Sequence, residues 1–169
     1  SQDLANNPSF VIQNGTGAYS AIWCIGNGVA VGDLVDVAGN VIEVYGLRQI
    51  LGATPTVISS GNDLPAAEFL ETAAINDEQW ESVLLQMLAP VSNADAGYGE
   101  WLMDDGSGLG AVDDLAYGAV EDSVDVDGVF VPVVEEGVTY RVTGPNFYAF
   151  GSWKLAPRNS SDVVRLGCM

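Results

Sequence analysis

Glycines in this chain recur at a fixed distance. Gly32, Gly39 and Gly46 return as Gly137, Gly144 and Gly151 at an offset of 105, and Val37, Tyr45 and Ile50 fall on Val142, Phe150 and Leu155. Upstream, Phe10-Val-Ile-Gln-Asn-Gly-Thr-Gly falls on Trp101-Leu-Met-Asp-Asp-Gly-Ser-Gly at an offset of 91. The two offsets differ by 14, which implies an insertion between Gly108 and Gly137. Glycines held at a regular offset mark backbone that bends or passes close to another strand, so the spacing predicts two copies of one structural unit. The expected boundaries are a first unit over 1–60, a linker over 61–80 and a second unit over 81–169.

Between the glycines lie short runs of Val, Ile, Tyr, Phe and Trp, such as Phe10-Val11-Ile12, Val35-Asp36-Val37 and Tyr140-Arg141-Val142. Short apolar or alternating runs bounded by Gly, Asn and Asp are strand signals. Only Pro65 to Trp80, with Ala66, Ala67, Phe69, Leu70, Ala73 and Ala74 and no Gly, reads as a short helix in the linker. Each copy runs from an aromatic strand through a Gly-[Ser/Thr]-Gly turn to a Gly-bounded strand and an aromatic-Gly hairpin. Gly where a strand must bend sharply, with β-branched residues between, is what a small coiled barrel needs. The expected fold is therefore mainly β: tandem OB-like small β-barrel units with one short helix in the linker.

Charge narrows the partners. Five Lys and Arg stand against 23 Asp and Glu, a net charge of −18, while 48% of residues are hydrophobic. Acidic disordered chains lack that apolar content, so the expectation is a folded protein with an acidic surface. The absence of His removes the usual general base, the usual zinc ligand and the Ser-His and Cys-His nucleophile pairs, and the expectation is that the chain is not an enzyme. Five cations are few for neutralising a phosphate backbone. There is no apolar stretch long enough to span a membrane, and the polar opening Ser1-Gln2-Asp3 reads as a mature or trimmed end.

Several motifs bear on chemistry. Gly106-Ser-Gly108-Leu-Gly-Ala111 fits a loose dinucleotide pattern but precedes a strand, where a helix N-terminus is required, so it reads as a turn. Asp104 and Asp105 read as turn carboxylates bonding nearby backbone N–H groups. Asp125-Val-Asp127-Gly128 resembles part of a calcium loop, yet Ser123 and Val134 stand where an EF-hand needs Asp and Glu. A less regular calcium site remains, drawn from Asp113, Asp114, Glu121, Asp122, Asp125 and Asp127, beside the plain reading of an acidic hairpin. Tyr45, Arg48, Tyr148, Trp153, Lys154 and Arg158 are candidates for a ligand-binding face that stacks single-stranded nucleic acid or polysaccharide. Strand side chains alternate, so half of these aromatics should point inward and serve packing. Asn14-Gly-Thr16 and Asn159-Ser-Ser161 match the N-glycosylation pattern.

Cys24 lies in an apolar strand and Cys168 one residue from the end. A bond between them would close nearly the whole chain, for which the loop-entropy model gives about 5 kcal/mol. The expected disulfide favours an extracellular location, secreted or on the cell surface.

The phrases Ile12-Gln-Asn-Gly-Thr-Gly-Ala-Tyr-Ser-Ala-Ile-Trp23, Gly32-Asp-Leu-Val-Asp-Val-Ala-Gly-Asn-Val-Ile-Glu-Val-Tyr-Gly-Leu-Arg-Gln-Ile50 and Trp153-Lys-Leu-Ala-Pro-Arg-Asn-Ser-Ser-Asp-Val163 resemble the OB-fold modules found beside catalytic domains in secreted bacterial nucleases. The resemblance covers nearly the whole chain, including the Ser60-Gly-Asn-Asp-Leu-Pro65 linker. It implies an OB-fold and secretion, and a non-catalytic role, because in those proteins a separate metal-dependent domain performs hydrolysis. The expected function is a structural or interaction subunit of an extracellular assembly, its partners other protein subunits or copies of itself. The alternative is an accessory module that binds nucleic acid or polysaccharide for a secreted hydrolase.

One further expectation concerns an edge. The second copy opens with Glu81 to Leu88, whose counterpart at the offset of 91 would precede residue 1, so the first unit lacks its own opening strand. The tail Val163 to Leu166, held beside Ala21 to Ile25 by the disulfide, is the expected cover. A strand from a neighbouring molecule is the other.

Overall fold

The computed structural model describes residues 8–114, 123–126, 129–132 and 134–166. With 56% of the described residues in strands and 7% in helical turns, the protein is mainly β. β1 (Ser9–Gln13), β2 (Ala21–Ile25), β3 (Leu34–Val44) and β4 (Leu47–Ser59) form one sheet in the order β1-β2-β4-β3. A second, seven-stranded sheet contains β5 (Glu68–Phe69), β6 (Leu84–Gly97), β7 (Glu100–Asp104) and β8 (Leu109–Asp113). β9 (Ser123–Val126) and β10 (Val129–Pro132) form a separate hairpin. β11 (Thr139–Ala149), β12 (Ser152–Leu155) and β13 (Val163–Arg165) complete the large sheet in the order β13-β11-β12-β8-β7-β6-β5, with β6 also paired to β11.

The two sheets share an order of pairings. β1 runs antiparallel to β2, β2 parallel to β4, and β4 antiparallel to β3. Likewise β7 runs antiparallel to β8, β8 parallel to β12, and β12 antiparallel to β11. The β3–β4 and β11–β12 hairpins turn on Tyr45-Gly46 (φ 51° and 86°) and Phe150-Gly151 (φ 52° and 87°), both residues of each pair left-handed. Two successive positive φ values match the right-handed twist of the flanking strands, which is why a two-residue loop here requires them.

Gly39 and Gly144 have a different reason to be glycine. A Cβ on Gly39 would lie 3.2 Å from the Leu51 carbonyl oxygen, and one on Gly144 would lie 2.5 Å from that of Ala156. At Gly144 the backbone passes too close for a side chain, whereas at Gly39 a Cβ would first meet the Ile50 side chain. Gly144→Ala is expected to destabilise the protein by about 1–3 kcal/mol through overpacking. Thermal denaturation checks it, and an unchanged midpoint contradicts the close approach.

Three apolar clusters hold the structure. The largest is fed by β6, whose alternate residues Leu85, Met87, Ala89 and Val91 point inward onto Trp101, Met103, Val112, Tyr140, Val142 and Leu155. A second joins the sheets through Trp23, Leu47, Phe147 and Ala156, the Trp23 and Phe147 rings lying 6.1 Å apart at 43°. The third, inside the small sheet, packs Phe10, Ile12, Ile22 and Val37 on Cys24, Ile50 and Ala53.

Three expectations are corrected here. The linker forms no α-helix but two single-turn 3-10 helices, Thr72–Ile75 and Glu78–Trp80, after the short strand β5. The first-turn N–H groups are captured from outside: the Asp105 carboxylate accepts from the Thr72 N–H at 3.0 Å and the Ser107 hydroxyl from the Ala73 N–H at 3.1 Å. Cys24 is a free thiol, fully buried in the third cluster, its pKa pushed up to about 11 by burial. Cys168, its expected partner, lies outside the described residues. The tail does not cover the small sheet: β13 pairs with β11 in the large one, Tyr140 facing Arg165 and Val142 facing Val163.

Candidate interaction groove

β1 carries apolar residues on both faces, Phe10 and Ile12 toward the third cluster and Val11 toward the seam. It and β3 are the outer strands of the small sheet, and among the described residues neither has a partner on its outer edge. Between them lies a groove of about 1300 Å³, lined by β1, the segment 29–35 that leads into β3, the linker residues Asn62 to Pro65, and Glu78, Glu81 and Arg158 at its margin. Val31, Leu34 and Leu64 line it and remain exposed. Unpaired backbone along an apolar seam is a template for another strand.

The large sheet has a strand at the corresponding place. β6 pairs with β11 over Leu84 to Pro90 and with β7 over Val91 to Gly97, so it bridges the strands that correspond in pairing order to β3 and β1.

Specific bonds fix the groove against the linker. The Gln13 side-chain oxygen accepts from the Leu84 N–H at 2.8 Å, the Tyr19 N–H donates to the Gln79 carbonyl at 2.7 Å, and the Glu81 carboxylate accepts from the Arg48 N–H at 2.5 Å. Burial pushes the Glu81 carboxyl above its usual range. On the far wall Asp33 accepts from the Ala30 N–H at 2.8 Å, and hydrogen bonds from Ser60 and Ala30 hold its carboxyl low. Gln13 and Glu81 were not singled out in the sequence; their polar types are common at strand ends and carry no motif.

The six ligand candidates do not share one environment. Arg48 pairs with Glu78 at 3.1 Å beside the groove, and Arg158 pairs with Asp162 at 2.7 Å. The Tyr148 and Trp153 rings lie 5.0 Å apart, tilted at 56°, on the β11–β12 hairpin, and Gly46, next to Tyr45, packs on the Tyr148 ring. Tyr45 is exposed at a turn, as are Phe150, 92% exposed, and Tyr98, 99% exposed. Lys154 is only 1% exposed; its ammonium bonds Glu100 and Asp113 and sits 5.4 Å from the Phe150 ring centroid.

Of the six calcium candidates, Asp113 faces Lys154 at 3.4 Å, and Asp114 lies against the Tyr98-Gly99 turn. Glu121, Asp122 and Asp127 lie outside the described residues, and Asp125 is described only as backbone of β9. Among the described residues no group of three or more acidic, Cys or His side chains is placed to hold a metal ion.

Burial, then the charges of Asp113 and Glu100, pushes the Asp114 carboxyl up to about 6. A carboxyl raised in the folded state favours folding while neutral, and that contribution is lost as pH rises through 6. Asp114→Asn is therefore expected to raise the melting temperature relative to the parent at pH 7.5 and to lose that advantage by pH 4. Melting curves across this interval check it, and a difference independent of pH contradicts it.

Among the described residues no helix is long and apolar enough to cross a membrane. No family model, curated protein or solved structure matches the chain.

Proposed function

We propose that the protein is a non-catalytic tandem OB-like β-protein acting as a structural or interaction subunit of an extracellular assembly. The observation that carries this reading is the pair of edges, β1 and β3, that have no partner among the described residues and line a groove of about 1300 Å³ where the large sheet has β6. The pairing order 6-7-8-12-11, with β11 returning to β6, supports an OB-like second unit, since that fold joins its first strand to both its second and fourth. The matching order in the small sheet supports a duplicated unit. Calcium bound by the acidic segment 113–136 belongs to the same proposal. A melting midpoint raised in calcium over chelator supports it, and identical curves remove it.

Sedimentation velocity over a range of concentration and salt, with electron microscopy of the native material, tests the assembly role. Species heavier than the 17.7 kDa chain that grow with concentration are expected. A monomer under all conditions overturns the reading.

The tilted Tyr148–Trp153 pair and exposed Phe150 favour a second reading, an accessory module that binds polysaccharide on aromatic rings. Arg48, Lys154, Arg158 and Arg165 are all ion-paired, which weakens the nucleic-acid form of that reading. Titration with a neutral polysaccharide and with single-stranded DNA, followed by tryptophan fluorescence, separates the two ligands.

A further inference from the structure

We propose that the side chains of Lys154 and Asp113 join in an amide bond, formed by the folded protein itself with Glu100 as general base. The three residues come from three adjacent strands of the large sheet. Lys154 on β12 stands opposite Ala111 on β8, Asp113 lies two residues further along β8, and Glu100 on β7 is the cross-strand partner of Asp113. Residues two apart on a strand point to the same face, and so do cross-strand partners. The Lys154 ammonium contacts the Glu100 carboxylate directly and lies 3.4 Å from Asp113 Oδ2.

Stability does not account for this arrangement. Apolar residues of the same volume often serve as well as a buried ion pair, and here two carboxylates close on one buried ammonium. Nor does the fold require charge at these places. In the small sheet Ser9 and Ile25 face each other as Glu100 and Asp113 do, and Gln49 falls on Lys154 at the offset of 105. That sheet forms its matching ladder with none of the three groups.

The geometry fits a condensation. Reacting groups held about 3–3.5 Å apart gain most from orientation. At 3.4 Å from Nζ, Asp113 is the carboxyl placed for attack, and Glu100, in contact with the ammonium, is placed to take its protons. Glu100 accepts a proton, and the freed amine attacks Asp113 Cγ. The C–N bond forms, the tetrahedral carbon expels one oxygen, and that oxygen leaves as water with the two protons that the nitrogen gives up through Glu100. Net charge is unchanged, nothing is oxidised or reduced, and Glu100 is regenerated. Water, which would reverse the step, has little access: Lys154 is buried, with the Phe150 ring centroid 5.4 Å from its ammonium. The bond ties β12 to β8 and closes a loop over 113–154. Unlike a disulfide, it needs no oxidising surroundings to form.

Mass spectrometry of the intact, denatured 17.7 kDa chain tests it. The parent is expected to be one water molecule lighter than its sequence, and a protease digest should yield a branched peptide joining Lys154 to Asp113. Lys154→Met and Glu100→Gln should each have the full sequence mass while keeping the strand signal of the parent in circular dichroism. Asp113→Asn should lose ammonia in place of water, because its amide offers a different leaving group to the same amine. A parent at full mass overturns the proposal. A water loss that persists in Lys154→Met also overturns it, since that marks a cyclised Asp-Gly pair such as Asp105-Gly106. A branch at Glu100 overturns the assigned roles. Melting temperature alone does not separate the bond from the ion pair, because Lys154→Met removes both; mass does.

Discussion

Lys154→Met is expected to lower stability by about 3 kcal/mol at neutral pH, the lower end of the cost of breaking a buried ion pair by removing one partner. Methionine keeps the packing of the stem, so the loss isolates the charge. Without the ammonium, Glu100 and Asp113 face each other with Asp114 beside them. Glu100 is 22% and Asp113 14% exposed, so water recovers part of the penalty, which is why the lower figure applies. For a chain of this length the loss corresponds to a melting temperature lower by roughly 6–12 °C. Acid should narrow the gap to the parent as pH falls from 7 toward 4, because Asp114, pushed up to about 6 by burial and by the charges of Asp113 and Glu100, takes up a proton in that interval and relieves the crowding of charge. Melting curves for both proteins across that interval check it, and a gap that stays constant with pH contradicts the charge argument.

Trp23→Ala is expected to cost about 3–5 kcal/mol, the range for truncating a buried aromatic to alanine. Trp23 is 5% exposed and fills the seam against Leu47, Phe147 and Ala156, so its removal empties the contact between the sheets. The two sheets should then lose their common transition. Calorimetry is expected to show a broadened or double endotherm for the variant and a single one for the parent. A single sharp transition at the parent temperature contradicts the seam's role. Trp23→Phe, which keeps a ring against Phe147, should recover most of the loss.

The strands and turns were legible because they depend on local chemistry. Aromatic-Gly pairs marked both the Tyr45-Gly46 and Phe150-Gly151 hairpins, and the glycine offsets located the close approaches at Gly39 and Gly144. Contacts between distant segments were not legible. The alanine-rich linker has helical composition, but Asp105, Ser107 and Gly108, more than thirty residues downstream, tie Thr72 and Ala73 to the β7–β8 turn, and each helical segment stops after a single turn. Cys24 looked like half of a bridge because sequence distance does not reveal that apolar neighbours enclose it. Lys154 was read as a surface cation, as most lysines are. One signal pointed otherwise: at the offset of 105 it falls on Gln49, which is also buried. The position of the tail along β11 depended on a register that composition does not encode.

The proposed role requires that the edges of β1 and β3, which have no partner among the described residues, accept a strand. Hydrogen exchange of individual backbone amides tests it most directly, comparing dilute protein at low salt with concentrated protein at high salt. N–H groups on the free edges of β3, within Leu34 to Val37, and of β1, within Ser9 to Gln13, should exchange quickly in the first condition. They should become protected in the second, while those already paired between β3 and β4 change little. Mass that grows with no added protection at these edges, or edges already protected in the dilute monomer, would contradict the account.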